Sequence, residues 1–274
     1  MYSRVYVEIT NICNMNCSFC HGHKRTPRKM TEAEYIHILN QLTGKTQYIY
    51  HHLMGEPLIH PLLPRFIQFA YKAGFHPMIT TNGTLLDRCG DSLLIPGLHK
   101  INVSLRSFEG DQQDVHRHYI QKVAEFAHKA NQAGILISLR LWNNGCDDGR
   151  NHITLQCLQE SLPGQWTKNT RGFRIRDRLF LEWGDRFTWP DQNASEGGDQ
   201  VFCYGLGDLF GILCDGTVVP CCLDSDGVIS LGNVFQEELS DILSTPRAKA
   251  IADGFRRRKA VEDLCRRCGY ARKF

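Results

Sequence analysis

The sequence predicts an α/β fold, a parallel sheet with helices outside it, on three observations. Strand-like apolar runs alternate with helical ones, a capping box opens the first helical run, and glycines stand just past the ends of later ones. Val5–Ile12 reads as the first strand. Thr31–Leu42 follows as a helix, with Thr31 and Glu34 spaced so that each side chain reaches the other's backbone N–H. Tyr48–Leu53 is the second strand and Leu62–Ala73 the second helix, closed by Gly74 because glycine accepts the positive φ that ends a helix. Strands are expected at Pro77–Thr81 and Lys100–Leu105, a long amphipathic helix over Gln113–Ala133 ending at Gly134, and a strand over Ile135–Trp142. A shorter helix near Ile153–Leu162 and a strand near Leu179–Trp183 complete about six βα units. The polar, Gly-rich stretch 192–200 marks the expected boundary between a domain of residues 1–191 and one of residues 192–274.

With 274 residues, 42% of them hydrophobic, the chain can bury a substantial core. A formal charge of +3 is too mild for an electrostatic nucleic-acid surface, and the run Arg256, Arg257, Arg258 and Lys259 reads as a solvated helix end. No apolar stretch approaches the ~20 residues a membrane span needs. The chain enters its first strand at once, leaving no room for a signal peptide, so the cytoplasm is the expected location. Twelve cysteines in a chain of this length read as metal ligands and buried thiols rather than disulfides. Three fall at positions 13–20 and six between 203 and 268, while Cys89, Cys146 and Cys157 are scattered singly and read as small buried hydrophobes.

Cys13, Cys17 and Cys20 spell C-x3-C-x2-C immediately after the first strand, where active groups gather in parallel α/β architectures. Three thiolates leave one iron of a cubane cluster open, and an open iron binds and reduces a substrate. Zinc is the competing reading, but zinc sites usually pair two knuckles into four Cys or His, and no second knuckle is nearby. His21 and His23 read as loop residues. The triplet, with aromatic Phe19 before its last cysteine, resembles the radical S-adenosylmethionine (radical SAM) superfamily. The resemblance implies a partial (β/α)6 barrel, a site-differentiated [4Fe–4S] cluster, S-adenosylmethionine (SAM), a reductant such as flavodoxin or ferredoxin, and Phe19 near the adenine.

Further expectations follow from it. Met54-Gly55-Glu56-Pro57 resembles the family turn whose backbone and carboxylate contact the methionyl ammonium, which implicates Gly55 and Glu56. Thr80-Thr81-Asn82-Gly83 ends the third strand as in the family, placing Asn82 among the SAM contacts, and Gly accepts the turn. Ser104 is implied at the ribose or carboxylate and Arg140 at the carboxylate, with Arg106 as a competing partner. Short polar groups that merely finish strands are the alternative.

Cys203, Cys221, Cys265 and Cys268 have ordered spacing and include a C-x2-C pair, with Cys214-Asp215-Gly216 forming a hairpin turn between them. The set resembles the auxiliary-cluster domains of radical SAM enzymes, SPASM and its shortened form twitch. It implies one auxiliary [4Fe–4S] cluster with no open iron, leaving Cys214 and Cys222 spare. A tetrahedral zinc site is the alternative.

The implied reaction is reductive cleavage of SAM to a 5′-deoxyadenosyl radical that abstracts hydrogen from a substrate. Glu182, Trp183 and Asp185, in a stretch rich in aromatics and carboxylates, suit a flat polar heterocycle; an anchoring loop is the alternative. A small molecule is favoured over a peptide because only twelve residues precede Cys13. Size and plan are similar to queuine lyase, which removes the cyclopentenediol of queuine from its deazapurine base. A peptide maturase and a non-catalytic iron–sulfur or zinc scaffold are the other readings.

Overall fold

The structure, a computed structural model, describes residues 1–108, 112–144 and 150–273; Cys146 lies outside the described residues. Strands run over Arg4–Val7 (β1), Tyr48–Tyr50 (β2), His76–Thr81 (β3), Lys100–Ser104 (β4), Leu136–Asn144 (β5), Thr167–Asn169 (β6), Gly172–Arg176 (β7), Leu179–Asp185 (β8), Leu209–Ile212 (β9), Thr217–Val219 (β10) and Gly232–Asn233 (β11). Helices are Glu32–Leu42 (α1), Leu63–Lys72 (α2), Leu86–Cys89 (α3), Gln113–Gln132 (α4), Asn151–Ser161 (α5), Leu239–Ser244 (α6), Pro246–Arg256 (α7) and Asp263–Arg266 (α8). The six strands expected from the sequence correspond to β1 to β5 and β8. They form two compact units that do not follow chain order: Met1–Leu62, Lys72–His76 and Phe187 onward make one, Leu63–Tyr71 and Pro77–Arg186 the other.

In the first unit β1 is central. It pairs in parallel with β2, Val5 opposite Ile49, and on its other edge with β9, Arg4 opposite Leu209 and Val7 opposite Ile212. β10 turns back antiparallel on β9 through Asp215-Gly216, where Gly216 has φ +88° and the Asp215 side chain accepts from Thr217 N at 3.1 Å. The Thr31–Glu34 capping box is formed. β1 stops at Val7 although the apolar pattern runs to Ile12, because the backbone bends away to exchange hydrogen bonds with the returning chain: Met30 N donates to Ile9 O at 2.8 Å and Asn11 N to Arg28 O at 3.4 Å.

In the second unit β3, β4, β5 and β8 are parallel neighbours, and β7 and β6 extend them antiparallel. One face of this sheet is apolar: Ile79, Ile101, Val103, Ile137, Leu139, Leu141, Leu179 and Leu181 are all buried. α4 contributes Tyr119, Ile120, Val123, Ala124, Phe126, Ala127 and Ala130, the helical spacing that buries one stripe. The alternating side chains of the same strands, Asn102, Ser104, Ser138, Arg140 and Glu182, give the opposite face its polar groups.

Candidate functional site

The cysteine triplet lies on the loop after β1. Cys13 and Cys20 are exposed and Cys17 half-buried. Cys20 N donates to Cys17 O at 3.0 Å, and the Met15 N–H is directed at Cys13 Sγ at 3.5 Å. Buried Asn11 closes the loop: its Nδ2 donates to Thr26 O at 2.9 Å, its Oδ1 accepts from Arg28 N at 2.8 Å, and its carbonyl lies 2.8 Å from His23 Nε2. The Gly55-Glu56 turn is joined to the triplet's leading edge, since Glu56 N donates to Ile12 O at 2.8 Å. Gly55 has φ +74°, and a Cβ there would stand 2.5 Å from Thr10 O, so only glycine lets the two backbones approach this closely. Glu56 is buried and its carboxylate accepts from Leu58 N at 3.0 Å.

Trp189 secures the far end of the triplet. Its Nε1 donates to Phe19 O at 3.1 Å, and its ring is stacked on His21 with centroids 6.1 Å apart. Phe187 lies 5.4 Å from Trp189 and 5.2 Å from Tyr270, continuing the aromatic row toward the C-terminal cysteines.

In the second unit Ser104, Arg140 and Glu182 occupy one cross-strand row: Ser104 opposes Arg140, and Arg140 opposes Glu182. Ser138 Oγ donates to Glu182 Oε2 at 2.5 Å, Arg140 Nε is 3.8 Å from the same oxygen, and the Arg140 guanidinium lies 4.9 Å from the centre of the Trp142 ring. Asn102, two residues before Ser104 and therefore on the same face, is fully buried. Its Nδ2 donates to Thr80 Oγ1 at 3.1 Å, while its Oδ1 has no hydrogen-bond partner among the described residues. The Tyr119 hydroxyl, which carried no signal in the sequence, lies 2.5 Å from Ser104 O and 2.8 Å from Asn82 O, tying the ends of β4 and β3. Asn82 Oδ1 accepts from Thr84 N at 2.9 Å. Arg106 donates to Trp142 O at 3.0 Å.

Glu182 and Trp183 are adjacent in β8 and so project to opposite faces, which separates two of the residues read from the sequence as substrate contacts. Trp183 shares its face with Asp185, which is exposed and accepts from Asn144 Nδ2 at 3.3 Å.

Cys203, Cys221, Cys265 and Cys268 belong to the first unit, along with Cys222. Burial pushes the Cys203 thiol up to about 11, with neighbouring Cys268 and Cys222 adding to it. Burial, then Cys203, Cys222 and Cys265, drive Cys221 well above the ordinary thiol range, and burial with Cys203 and Cys268 does the same to Cys265. Neighbouring thiolates of the set thus oppose one another's ionisation, an opposition that cationic iron or zinc offsets. Gly205 N donates to Cys203 Sγ at 3.3 Å, and a Cβ on Gly205 would stand 3.4 Å from that sulfur. Among the described residues no three His, Cys, Asp or Glu side chains gather as one ion requires. Cys214 is different: burial and Glu8 push it up to about 12, and its thiol donates to Ile9 O at 3.5 Å.

Family models match at two places, the radical SAM superfamily over residues 7–142 and the SPASM iron–sulfur cluster-binding domain over residues 203–269. The chain belongs to the radical SAM superfamily. A GTP 3′,8-cyclase of Chlorobaculum tepidum is 30% identical over 112 residues, 39% of this chain; the match spans 34%, about a third, of that protein. Among solved structures, BtrN in complex with AdoMet and 2-DOIA aligns with TM-score 0.57 at 17% identity, covering 98% of this chain and 93% of that one. AnSMEcpe with bound AdoMet and the Kp18Cys peptide aligns with TM-score 0.62 at 13% identity, covering 97% and 88%. The fold of this radical SAM protein is therefore the partial (β/α)6 barrel with a C-terminal SPASM-type module, and its cofactors are [4Fe–4S] clusters and SAM. The first triplet fits one cluster through two exposed thiols and half-buried Cys17, and the C-terminal set fits another through buried Cys268 and half-buried Cys203, Cys221 and Cys265.

Proposed function

We propose that this protein reductively cleaves SAM and uses the resulting radical to abstract hydrogen from a small polar heterocycle, with queuine lyase-like removal of a cyclopentenediol from a deazapurine as the specific reaction. The observation that carries the radical chemistry is the C-x3-C-x2-C loop presented after β1 with its Ile12 carbonyl bonded to the Gly55-Glu56 turn. When bound, the cluster at Cys13, Cys17 and Cys20 and SAM supply an electron and a 5′-deoxyadenosyl radical. The chain's residues hold and orient. Glu56 would offer a carboxylate to the methionyl ammonium, Phe19 would serve the adenine, and Asn82, Ser104 and Arg140 are the further residues proposed to contact SAM. A flavodoxin or ferredoxin delivers the electron, in the cytoplasm. No helix among the described residues is long and apolar enough to cross a membrane. We keep the domain division at 191/192, on either side of which the two family matches fall.

The heterocycle reading is supported by the orphan acceptor of Asn102, buried on the face that carries Arg140 and Glu182. A buried carbonyl without a partner is costly, and a ring N–H satisfies it. Glu182 would accept further N–H donors, whereas Trp183 and Asp185 project from the opposite face of β8, so any substrate contact of theirs is separate from this one. The match to a protein named for GTP chemistry points the same way. A peptide maturase is the second reading, since the anSMEcpe complex with a peptide shares the fold. The anaerobically reconstituted, reduced protein should bind queuine and release 5′-deoxyadenosine in its presence. Absence of queuine binding, or release dependent only on a peptide, refutes the lyase; absence of any SAM cleavage leaves a scaffold.

A further inference from the structure

Glu8 is a charged residue in an apolar run, and it is fully buried. Both carboxylate oxygens are engaged twice. Oε1 accepts from Arg25 Nη2 at 2.6 Å and from Met54 N at 3.1 Å; Oε2 accepts from Arg25 Nη1 at 2.7 Å and from Cys214 N at 3.0 Å. The Arg25 fork continues outward, its Nε donating to Ser225 O at 2.8 Å, and the neighbouring Lys24 N donates to Asp226 Oδ1 at 2.6 Å.

These partners come from three segments with assigned work. Arg25 lies in the loop trailing Cys20, Met54 N immediately precedes Gly55, and Cys214 opens the Asp215-Gly216 hairpin that leads to Cys221. We infer that Glu8 is a positioning residue: one carboxylate sets the triplet loop, the SAM turn and the auxiliary hairpin in a common register. The chemistry demands this residue type. Only an ionised carboxylate offers four acceptor sites in one plane, two for a guanidinium fork and two for backbone N–H groups. Glutamine has the same shape but turns one acceptor oxygen into a donor, which then faces a guanidinium N–H and either Met54 N or Cys214 N.

The positioning role presupposes the proposed SAM site, but its first test does not. In the apoprotein, Glu8→Gln should speed hydrogen exchange at the amide of Met54 or of Cys214 by about tenfold or more, tenfold being 1.4 kcal/mol. In the reconstituted protein the same variant should keep its iron content and weaken SAM binding about tenfold, with an altered electron paramagnetic resonance change on SAM addition. Exchange at both amides as in the wild type, or wild-type SAM affinity and resonance despite lowered stability, overturns the inference. If Glu8→Gln fails to fold, the Glu8→Met, Arg25→Met double variant removes both charges, a replacement that often restores stability. It should fold without recovering SAM affinity, and wild-type affinity in it overturns the role equally. A wild-type protein that binds no SAM refutes the proposed function instead, leaving the exchange result to stand or fall alone.

Discussion

Replacing Gly55 by alanine separates backbone strain from backbone collision, because Gly44 provides a matched control. Both glycines have φ +74°, but a Cβ at Gly44 meets nothing within 4 Å, whereas at Gly55 it would stand 2.5 Å from Thr10 O, 2.8 Å from Asn11 C and 2.9 Å from Asn11 Cα. Holding an L-residue in the left-handed region costs about 1–2 kcal/mol, offset in part by about 0.4–1 kcal/mol from the stiffer unfolded chain. That net cost is all Gly44→Ala should show. Gly55→Ala adds the overpacking cost, about 1–3 kcal/mol, and sits toward its upper end because every colliding atom is backbone. If the turn yields instead of the fold, the same energy appears as SAM affinity weakened by about 5- to 150-fold. Urea unfolding of the two apoproteins, and equilibrium dialysis of SAM with the two reconstituted proteins, measure both routes. Equal midpoints and equal SAM affinities for Gly55→Ala and Gly44→Ala would refute the reasoning.

Alanine at Cys13, Cys17 or Cys20 should abolish deoxyadenosine production and lower iron by one cluster's worth, whereas Cys89→Ala and Cys157→Ala should leave iron unchanged; wild-type production in a triplet variant removes the assignment. Loss of Cys265 or Cys268 should remove the second cluster and destabilise the C-terminal segment, Cys214→Ala should not, and a triplet variant retaining one zinc and no iron would refute the auxiliary cluster. In the apoprotein the raised Cys203 thiol binds a proton that the unfolded chain has lost, so its contribution is complete below the ordinary thiol value near 9.0 and fades as pH rises toward about 11. Urea midpoints that stay level across that window would contradict the burial of this thiol. Tyr119→Phe strips a hydroxyl from two carbonyls and should cost about 1–3 kcal/mol and raise the KM for SAM; a stability loss with unchanged KM would make the tie purely structural.

The parallel strands were legible because each is a short, nearly continuous apolar run between turn signals, as with Ile101 and Val103, and the cysteine triplet was legible because its spacing is its chemistry. The β6–β7 hairpin was not: Thr167, Lys168 and Asn169 are all exposed and present no apolar alternation to read. Nor was the placement of the aromatic stretch. Trp183 belongs to β8 while Trp189, six residues on, anchors Phe19 in the other unit, and nothing local distinguishes the two indoles. Glu8 did leave a signal, a lone charge in an apolar run, but its four hydrogen bonds come from three residues distant in sequence, and pairwise distance along the chain carries no trace of them.

The pairing of β1 with β9 sets an order of assembly during synthesis. Ser3 Oγ donates to Asp208 O, a partner 205 positions later, so the strand that delivers the cysteine triplet leaves the ribosome long before its second neighbour exists. At 5–20 residues per second the interval is roughly 10–40 s. Throughout it β1 has an open edge and Cys13, Cys17 and Cys20 lack the Trp189 anchor, which makes the nascent chain a target for stray metal, oxidant and edge-to-edge pairing. Cluster delivery to this protein is accordingly an event of the finished chain, and iron offered to stalled or truncated chains ending before Leu209 should bind loosely and be lost on gel filtration.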